Sequence, residues 1–100
     1  HGEIKTPPFT RGARIEAGVL LRRLQQGESI GLPHSRPTPS IGARVHELRI
    51  PDETITWRVF YYIAEEAIVL LEVVEKKTQT TPAQVIKTCQ RRLKLYQHIK

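Results

Sequence analysis

The chain has 100 residues, of which 39% are hydrophobic and 26% charged, and its net charge is +6. A chain of this length forms one small domain and cannot support two. The excess of Lys and Arg favours nucleic acid or an acidic protein as the partner. The single cysteine excludes an internal disulfide framework, and charged residues interrupt the most apolar stretch. We therefore expect a cytoplasmic protein without a membrane span.

The first predicted element is an amphipathic helix from about Thr10 to Gln26, because apolar residues recur at helical spacing in "TRGARIEAGVLLRRLQQ". Thr10 is the candidate N-cap, and Gly27 is the candidate stop signal. The next segment, "ESIGLPHSRPTPSIGAR", contains prolines and glycines that exclude a regular helix or a central strand, so we expect a loop. Since the chain begins at His1 and not at a methionine, we expect part of the native N-terminus to precede it.

Two alternating segments then predict a β-hairpin. In Val45–Ile50, and again from Trp57, successive side chains fall on alternate faces of an expected strand, and "PDET" between them supplies turn residues. We expect a two-residue turn at Glu53 and Thr54. This turn sets the pairing of all the residues in the two strands.

The remaining elements are a strand and a second helix. The segment "AIVLLEVVEKK" is rich in β-branched residues and favours a third strand, although its apolar spacing also fits a helix. The segment "AQVIKTCQRRLKLYQHIK" has helical spacing, and Thr81 and Pro82 suit the cap and the first helical position. We therefore expect a basic amphipathic helix at the end of the chain, and an α+β fold overall.

The hairpin register places Arg49 directly opposite Arg58. Like charges in such a pair destabilise a sheet, so they need a local counter-ion or a bound anion. Glu47 lies on the same face, two residues from Arg49, and is the candidate counter-ion. In one interpretation, both arginines are solvated residues on the open face of a one-sided sheet. In the other, they bind phosphate, because the planar guanidinium group forms paired hydrogen bonds with phosphate and keeps its charge.

The order of "ELRI", "WRVFYY" and "VVEKKTQTTP", with the helix "RIEAGVLLRRLQQG" before them and "CQRRLKLYQ" after them, resembles the RelE/HigB-like toxins of type II toxin–antitoxin systems. The similarity is greatest to the phage-derived HigB-type branch and covers nearly the whole chain. It implies a single toxin domain over residues 1–100, a small twisted antiparallel sheet with helices packed on one face. It also implies a short N-terminal strand that this sequence lacks.

The resemblance implies a toxin that cleaves mRNA on the ribosome without a metal ion or other cofactor. In this reaction the ribose 2′-hydroxyl attacks the adjacent phosphate and leaves a 2′,3′-cyclic phosphate. The implied partners are mRNA on the ribosome and a cognate antitoxin with a helix-turn-helix domain, and no membrane is implied. The sequence agrees in that no cluster of His, Cys, Asp or Glu has the spacing of metal ligands.

The resemblance also implies roles for basic residues of the hairpin and of the last strand. Arg58 in "WRVFYY" matches an arginine that the family uses to stabilise the phosphate, and Arg49 in "ELRI" is expected to share this role. Lys76 and Lys77 stand where relatives have another catalytic basic residue, and the sequence does not distinguish between them. A reaction that develops charge on phosphoryl oxygens needs such cations.

Further candidates could bind RNA without taking part in the chemistry. Phe60 and Tyr62 share the expected face of Arg58 and could stack on bases. His46 alternates onto the opposite face and is expected to be a core histidine. The basic residues of the last helix could contact RNA phosphates or an acidic antitoxin: Arg91, Arg92 and Lys94.

Two alternatives to a nuclease stay open. Since the Arg58 face has no evident general base, the chain could be a non-catalytic, toxin-like module that binds RNA or a protein. It could also be a phage-derived protein that modulates a host protein through the basic helix.

Overall fold

A computed structural model describes residues 10–28, 35–65, 67–77 and 80–99. The expectation for an N-terminal extension lies outside these residues. The described elements are two helices and four strands, in the order α1 (Arg11–Gln25), β1 (Ser35–Pro37), β2 (Val45–Asp52), β3 (Ile55–Ile63), β4 (Ile68–Glu75) and α2 (Ala83–Ile99). The strands form one antiparallel sheet in the order β1-β2-β3-β4. The predicted α+β class is confirmed.

Helix α1 begins and ends at the residues that its sequence predicts. The hydroxyl oxygen of Thr10 accepts a hydrogen bond from the amide of Ala13 at 3.3 Å, as an N-cap does. Gly27 adopts a positive φ of 91°, and its amide donates to the carbonyl of Leu24. The amide of Glu28 reaches one residue further back, so the helix ends in a Schellman motif.

The hairpin of β2 and β3 has the predicted register. Ile50 pairs with Trp57 and Arg49 with Arg58, around a two-residue turn. Glu53 in this turn has a φ of 50°, the left-handed conformation that such turns require. The segment that fitted either a strand or a helix is strand β4. It pairs with β3, and the pairing is interrupted by a bulge between Phe60 and Tyr61. The second helix begins at Ala83, one residue after the predicted Pro82.

Strand β1 lies within the segment predicted to be a loop. It is only three residues long and pairs with one side of β2, so it forms the edge of the sheet. Pro37 is compatible with this position, because an edge strand can leave one side without amide donors. The hydroxyl groups of Ser35 and Tyr61 are 2.7 Å apart and fix β1 to β3 across the intervening strand.

The two helices cover opposite faces of the sheet, whereas the sequence predicted helices on one face. We call the sheet face that packs against α1 the α1 face and the opposite one the α2 face. The α1 face contributes Leu48, Ile50, Trp57, Val59 and Tyr61 to the core. The residues of α1 that pack on it are Ala13, Ala17, Leu20 and Leu24. The α2 face packs against Cys89 and Leu93 of α2, and its core residues include Val45, Phe60 and Leu71. The face that carries Arg49 and Arg58 is therefore covered in part by α2 and is not an open surface.

Asp52 fastens the start of α1 to the end of the hairpin. Its carboxylate accepts hydrogen bonds from the amide of Thr10 at 3.0 Å and from the hydroxyl of Thr10 at 2.5 Å. The indole N–H of Trp57 donates to it at 2.9 Å. The hydrogen bond from the Thr10 hydroxyl is the main reason why the pKa of Asp52 lies below its usual value.

Neither described helix combines the length and the apolar content needed to cross a membrane.

Candidate functional site

Glu47 is the centre of a cluster of charges on the α2 face. Its side chain is fully buried, and its carboxylate accepts a 2.5 Å hydrogen bond from Nε of Arg58. Nε of Arg49 lies 3.4 Å from the same carboxylate, and Nε of Arg36 lies 3.7 Å from it. We call these four residues the arginine cluster.

Strand pairing places these side chains together. Arg36 of β1 is directly opposite Glu47, and Arg49 of β2 is directly opposite Arg58 of β3. Side chains in such pairs and their neighbours two residues along share one face of a sheet. Glu47 is thus the predicted counter-ion of the arginine pair, and it also contacts Arg36, which the sequence did not indicate because β1 is too short to show a strand pattern.

The arginines keep Glu47 ionised although it is buried. Burial raises the pKa of this carboxyl group, but the hydrogen bond and the charge of Arg58, together with Arg49, outweigh that effect. The net pKa of Glu47 is therefore lower than its usual value. One carboxylate faces three guanidinium groups, so the cluster has a surplus of positive charge.

Arg58 is buried, with an exposed fraction of only 1%, and does not lie on an open surface as the sequence suggested. Its Nη1 donates to the carbonyl of Thr80 at 3.1 Å, and its Nη2 donates to the hydroxyl of Thr81 at 2.9 Å. Its guanidinium group also lies 5.4 Å from the centre of the Phe60 ring. Arg58 therefore connects Glu47 in β2 to the segment that leads into α2.

Arg49 and Arg36 form the accessible side of the arginine cluster. The side chain of Arg49 is 25% exposed, and that of Arg36 is 44% exposed. Nη2 of Arg49 is itself buried and has no hydrogen-bond partner among the described residues. A buried donor without an acceptor is costly, so an anion that reached Nη2 would be favourably bound.

Lys76 lies on the same face as the arginine cluster, and Lys77 is exposed beside it. The amide of Lys76 donates to the carbonyl of Thr56 at 2.7 Å, so the pairing with β3 continues one residue beyond β4. Val74 is opposite Arg58, and alternation puts Lys76 on the side of Val74. The structure thus brings Lys76 and Arg49 to one face, on strands separated by β3.

The two aromatic candidates occupy different environments. Phe60 is fully buried in the core of the α2 face, so its ring is not accessible for stacking on a base and the expectation of an exposed ring was wrong. Tyr62 is half-buried and contacts Tyr96 of α2 edge to face, with the ring centres 6.1 Å apart. Only Tyr62 presents part of its ring at the surface.

The three basic residues of α2 also differ in their positions. Arg91 and Lys94 are exposed, as a surface for RNA or an acidic protein requires. Nη1 of Arg92 donates to the carbonyl of Leu71 at 2.8 Å and to the carboxylate of Glu72 at 3.1 Å. Arg92 therefore anchors α2 to β4.

His46 lies on the α1 face, opposite to Arg49, as predicted. Its ring stacks against Tyr61 with the centres 5.6 Å apart. Burial lowers the pKa of His46, and the backbone carbonyl of Arg44 only partly counteracts this. The neutral ring is therefore favoured, although its Nδ1 has no hydrogen-bond partner within the described segments.

Comparison with known proteins identifies one family. The model of the family described as "Phage derived protein Gp49-like (DUF891)" matches residues 8–94. No curated protein and no solved structure matches the chain. The match covers most of the sequence and supports the resemblance to toxins that the motifs of the hairpin and of the last strand indicate. The chain belongs to the Gp49-like family of phage-derived proteins, a toxin-like family related to the RelE and HigB toxins.

Proposed function

We propose that this chain is the toxin of a type II toxin–antitoxin system, of the HigB-type branch, and that it cleaves mRNA on the ribosome. The observation that carries the proposal is the arginine cluster, which has a surplus of positive charge and a buried Nη2 of Arg49 without a partner among the described residues. Membership of a toxin-like family supports an RNA phosphate as the anion that binds here.

The reaction is an internal transfer at phosphorus. The 2′-oxygen of a ribose forms a bond to the adjacent phosphorus, and the bond from phosphorus to the 5′-oxygen of the next nucleotide breaks. The 2′-hydroxyl loses its proton and the leaving 5′-oxygen gains one, so the products are a 2′,3′-cyclic phosphate and a 5′-hydroxyl. Negative charge increases on the phosphoryl oxygens in the transition state, where fixed cations lower the barrier.

The proposal gives the basic residues different roles. Arg49, whose side chain is 25% exposed, contacts the scissile phosphate, with Lys76 or Lys77 adding charge from the end of β4. Arg58 is a positioning residue, because its donors hold Glu47, Thr80 and Thr81 and it has almost no exposed surface.

Residues outside the arginine cluster would bind the flanking RNA. Tyr62 supplies the accessible part of a ring, and Arg91 and Lys94 supply exposed charge on α2. The partner that neutralises the toxin would be a cognate antitoxin with a helix-turn-helix domain. The reaction would take place on the ribosome and would not require a metal ion.

The test adds the full-length gene product to ribosomes that carry a defined mRNA, and maps new ends by primer extension. We expect discrete cuts whose downstream fragments have a 5′-hydroxyl, which polynucleotide kinase labels without prior dephosphorylation. The upstream fragments should resist 3′-extension until their cyclic phosphate is removed. If the mRNA occupies the ribosome and stays intact, the proposed endoribonuclease activity is contradicted.

One observation favours a non-catalytic module as the second candidate. Glu47, the carboxylate within the arginine cluster, is buried and kept ionised by its arginines, so it is poorly placed to accept the proton of a 2′-hydroxyl. In the same experiment, tight and salt-sensitive binding to ribosomes or mRNA without any cut would support this candidate.

A further inference from the structure

The outer side of α1 carries exposed apolar residues one helical turn apart. Ile15 is 59% exposed and Val19 is 53% exposed. They lie away from the stripe of Ala17, Leu20 and Leu24 that packs on the sheet. Large aliphatic side chains that are exposed together on one helix form a surface which gains free energy when another apolar surface covers it.

Gly18 lies between these two residues in the middle of the helix. A Cβ atom at this position would meet nothing within 4 Å, so packing inside the chain does not require a glycine. Glycine is nevertheless the least favourable residue in a helix interior after proline. Gly18 lines a shallow groove together with Ile15 and Val19.

The rim of this groove is basic. Arg14 and Arg22 line it together with Ile15, Gly18 and Val19, and both arginines are exposed. A second copy of the same chain would bring like charges together at this rim. An acidic partner would pair with them, which improves both the association rate and the specificity of binding.

We propose that this outer α1 surface, formed by Arg14, Ile15, Gly18, Val19 and Arg22, docks an acidic amphipathic helix of a partner protein. The apolar side of that helix covers Ile15 and Val19 and approaches closely at Gly18, and its carboxylates face the two arginines. Helix-in-groove recognition of this kind uses apolar anchors spaced three to four residues apart. The proposal does not depend on RNA cleavage, so the failure of either one leaves the other untouched.

The experiment measures binding of a fluorescent peptide of about 20 residues, with leucines at helical spacing on one side and glutamates on the other. A scrambled peptide of the same composition is the control ligand. We expect the amphipathic peptide to bind at least tenfold more tightly than the scrambled one, and amide shifts in an NMR titration to concentrate on α1. Equal binding of the two peptides, or no binding, would overturn the proposal.

Variants of the chain then locate the surface. Ile15→Ser should weaken binding about tenfold, whereas Leu95→Ser on α2, where the leucine is similarly exposed at 57%, should leave binding unchanged. Gly18→Leu should also weaken binding about tenfold by filling the groove. The melting temperature should stay equal or rise, because a Cβ atom at this position meets nothing within 4 Å and leucine favours a helix more than glycine does. Equal effects of Ile15→Ser and Leu95→Ser would contradict a site on α1.

Discussion

Glu47 occupies a position in which burial and charge act in opposite directions. Burial alone would favour the neutral acid, yet Arg58 and Arg49 stabilise the carboxylate enough to lower its pKa. Ion pairs between buried groups depend on both partners, since a single buried charge is far more costly than the pair. In the arginine cluster the buried charges therefore depend on one another, and under the proposed function Arg49 at its accessible edge binds the anion.

The first prediction concerns the cost of removing Glu47. Glu47→Ala should lower the free energy of unfolding by about 3–5 kcal/mol, because Arg58 would remain buried without its counter-ion. Urea denaturation measures this change, and Glu75→Ala at the exposed end of β4 is the matched control. The double variant Glu47→Leu with Arg58→Met should recover most of the loss. A cost below about 1 kcal/mol for Glu47→Ala would show that the buried pair does not stabilise the fold.

The second prediction concerns the thiol of Cys89, which is buried in the core of the α2 face. Burial, with a smaller contribution from Glu72, raises its pKa to about 12, so almost no thiolate is present at neutral pH. We expect iodoacetamide to leave Cys89 unmodified in the native protein and to alkylate it in urea, as mass spectrometry would record. Alkylation at similar rates in both states would contradict the packing of α2 on the sheet.

At the scale of elements, the start of α1 depends on a few polar contacts. Thr10 caps the helix through its hydroxyl oxygen and also donates to Asp52 at the end of the hairpin. We predict that Thr10→Ala lowers the free energy of unfolding by more than about 1 kcal/mol, the usual cost of a lost N-cap, because the hydroxyl contact with Asp52 is lost together with the cap. Gln25→Ala at the other end of α1 is the control for urea denaturation. Equal stability of the two variants would contradict the capping role.

The hydrogen bonds of Asp52 to Thr10 and Trp57 also make the stability of the protein depend on pH. The pKa of Asp52 is lower in the folded protein than in the unfolded chain. Its contribution to the free energy of unfolding is therefore fully present above the unfolded-state pKa of about 3.9. That contribution is lost as the pH falls through the folded-state pKa. We predict that Asp52→Asn destabilises the protein at neutral pH and that the difference from the wild type shrinks near pH 3. Unfolding curves at both pH values measure this. A difference that stays constant with pH would mean that the charge of Asp52 is not involved.

The hairpin was predictable because its determinants are local. Alternation fixes which residues share a face, and a two-residue turn fixes the pairing, so Arg49 opposite Arg58 followed from the sequence. The burial of Arg58 was not predictable in this way, since it depends on α2 and on Thr80 and Thr81, more than 20 residues away in the chain. Val45, on the same face as the arginines, was a signal that this face is covered as well.

For the molecule as a whole, covering both faces of the sheet limits where the proposed RNA substrate can approach. The expected open sheet face does not exist around Arg58 and Phe60, because α2 packs there. Access to the arginine cluster is through Arg36 and Arg49, on the two strands at the β1 edge of the sheet. We therefore expect the phosphate backbone to run along this edge, attracted by the net charge of +6. Sequence reasoning found the charge and the family, but it expected an open sheet face where α2 covers part of the sheet.

The most direct test of this account is the rate of mRNA cleavage on programmed ribosomes by the wild type, Arg49→Ala and Arg22→Ala at equal, saturating protein concentrations. We predict that Arg49→Ala lowers the rate at least 100-fold, because it removes the cation nearest to the phosphate, while its circular dichroism spectrum stays unchanged. Arg22→Ala, which removes an equal charge from α1, should cleave at the wild-type rate. If a folded Arg49→Ala protein cleaves as fast as the wild type, the arginine cluster does not hold the scissile phosphate.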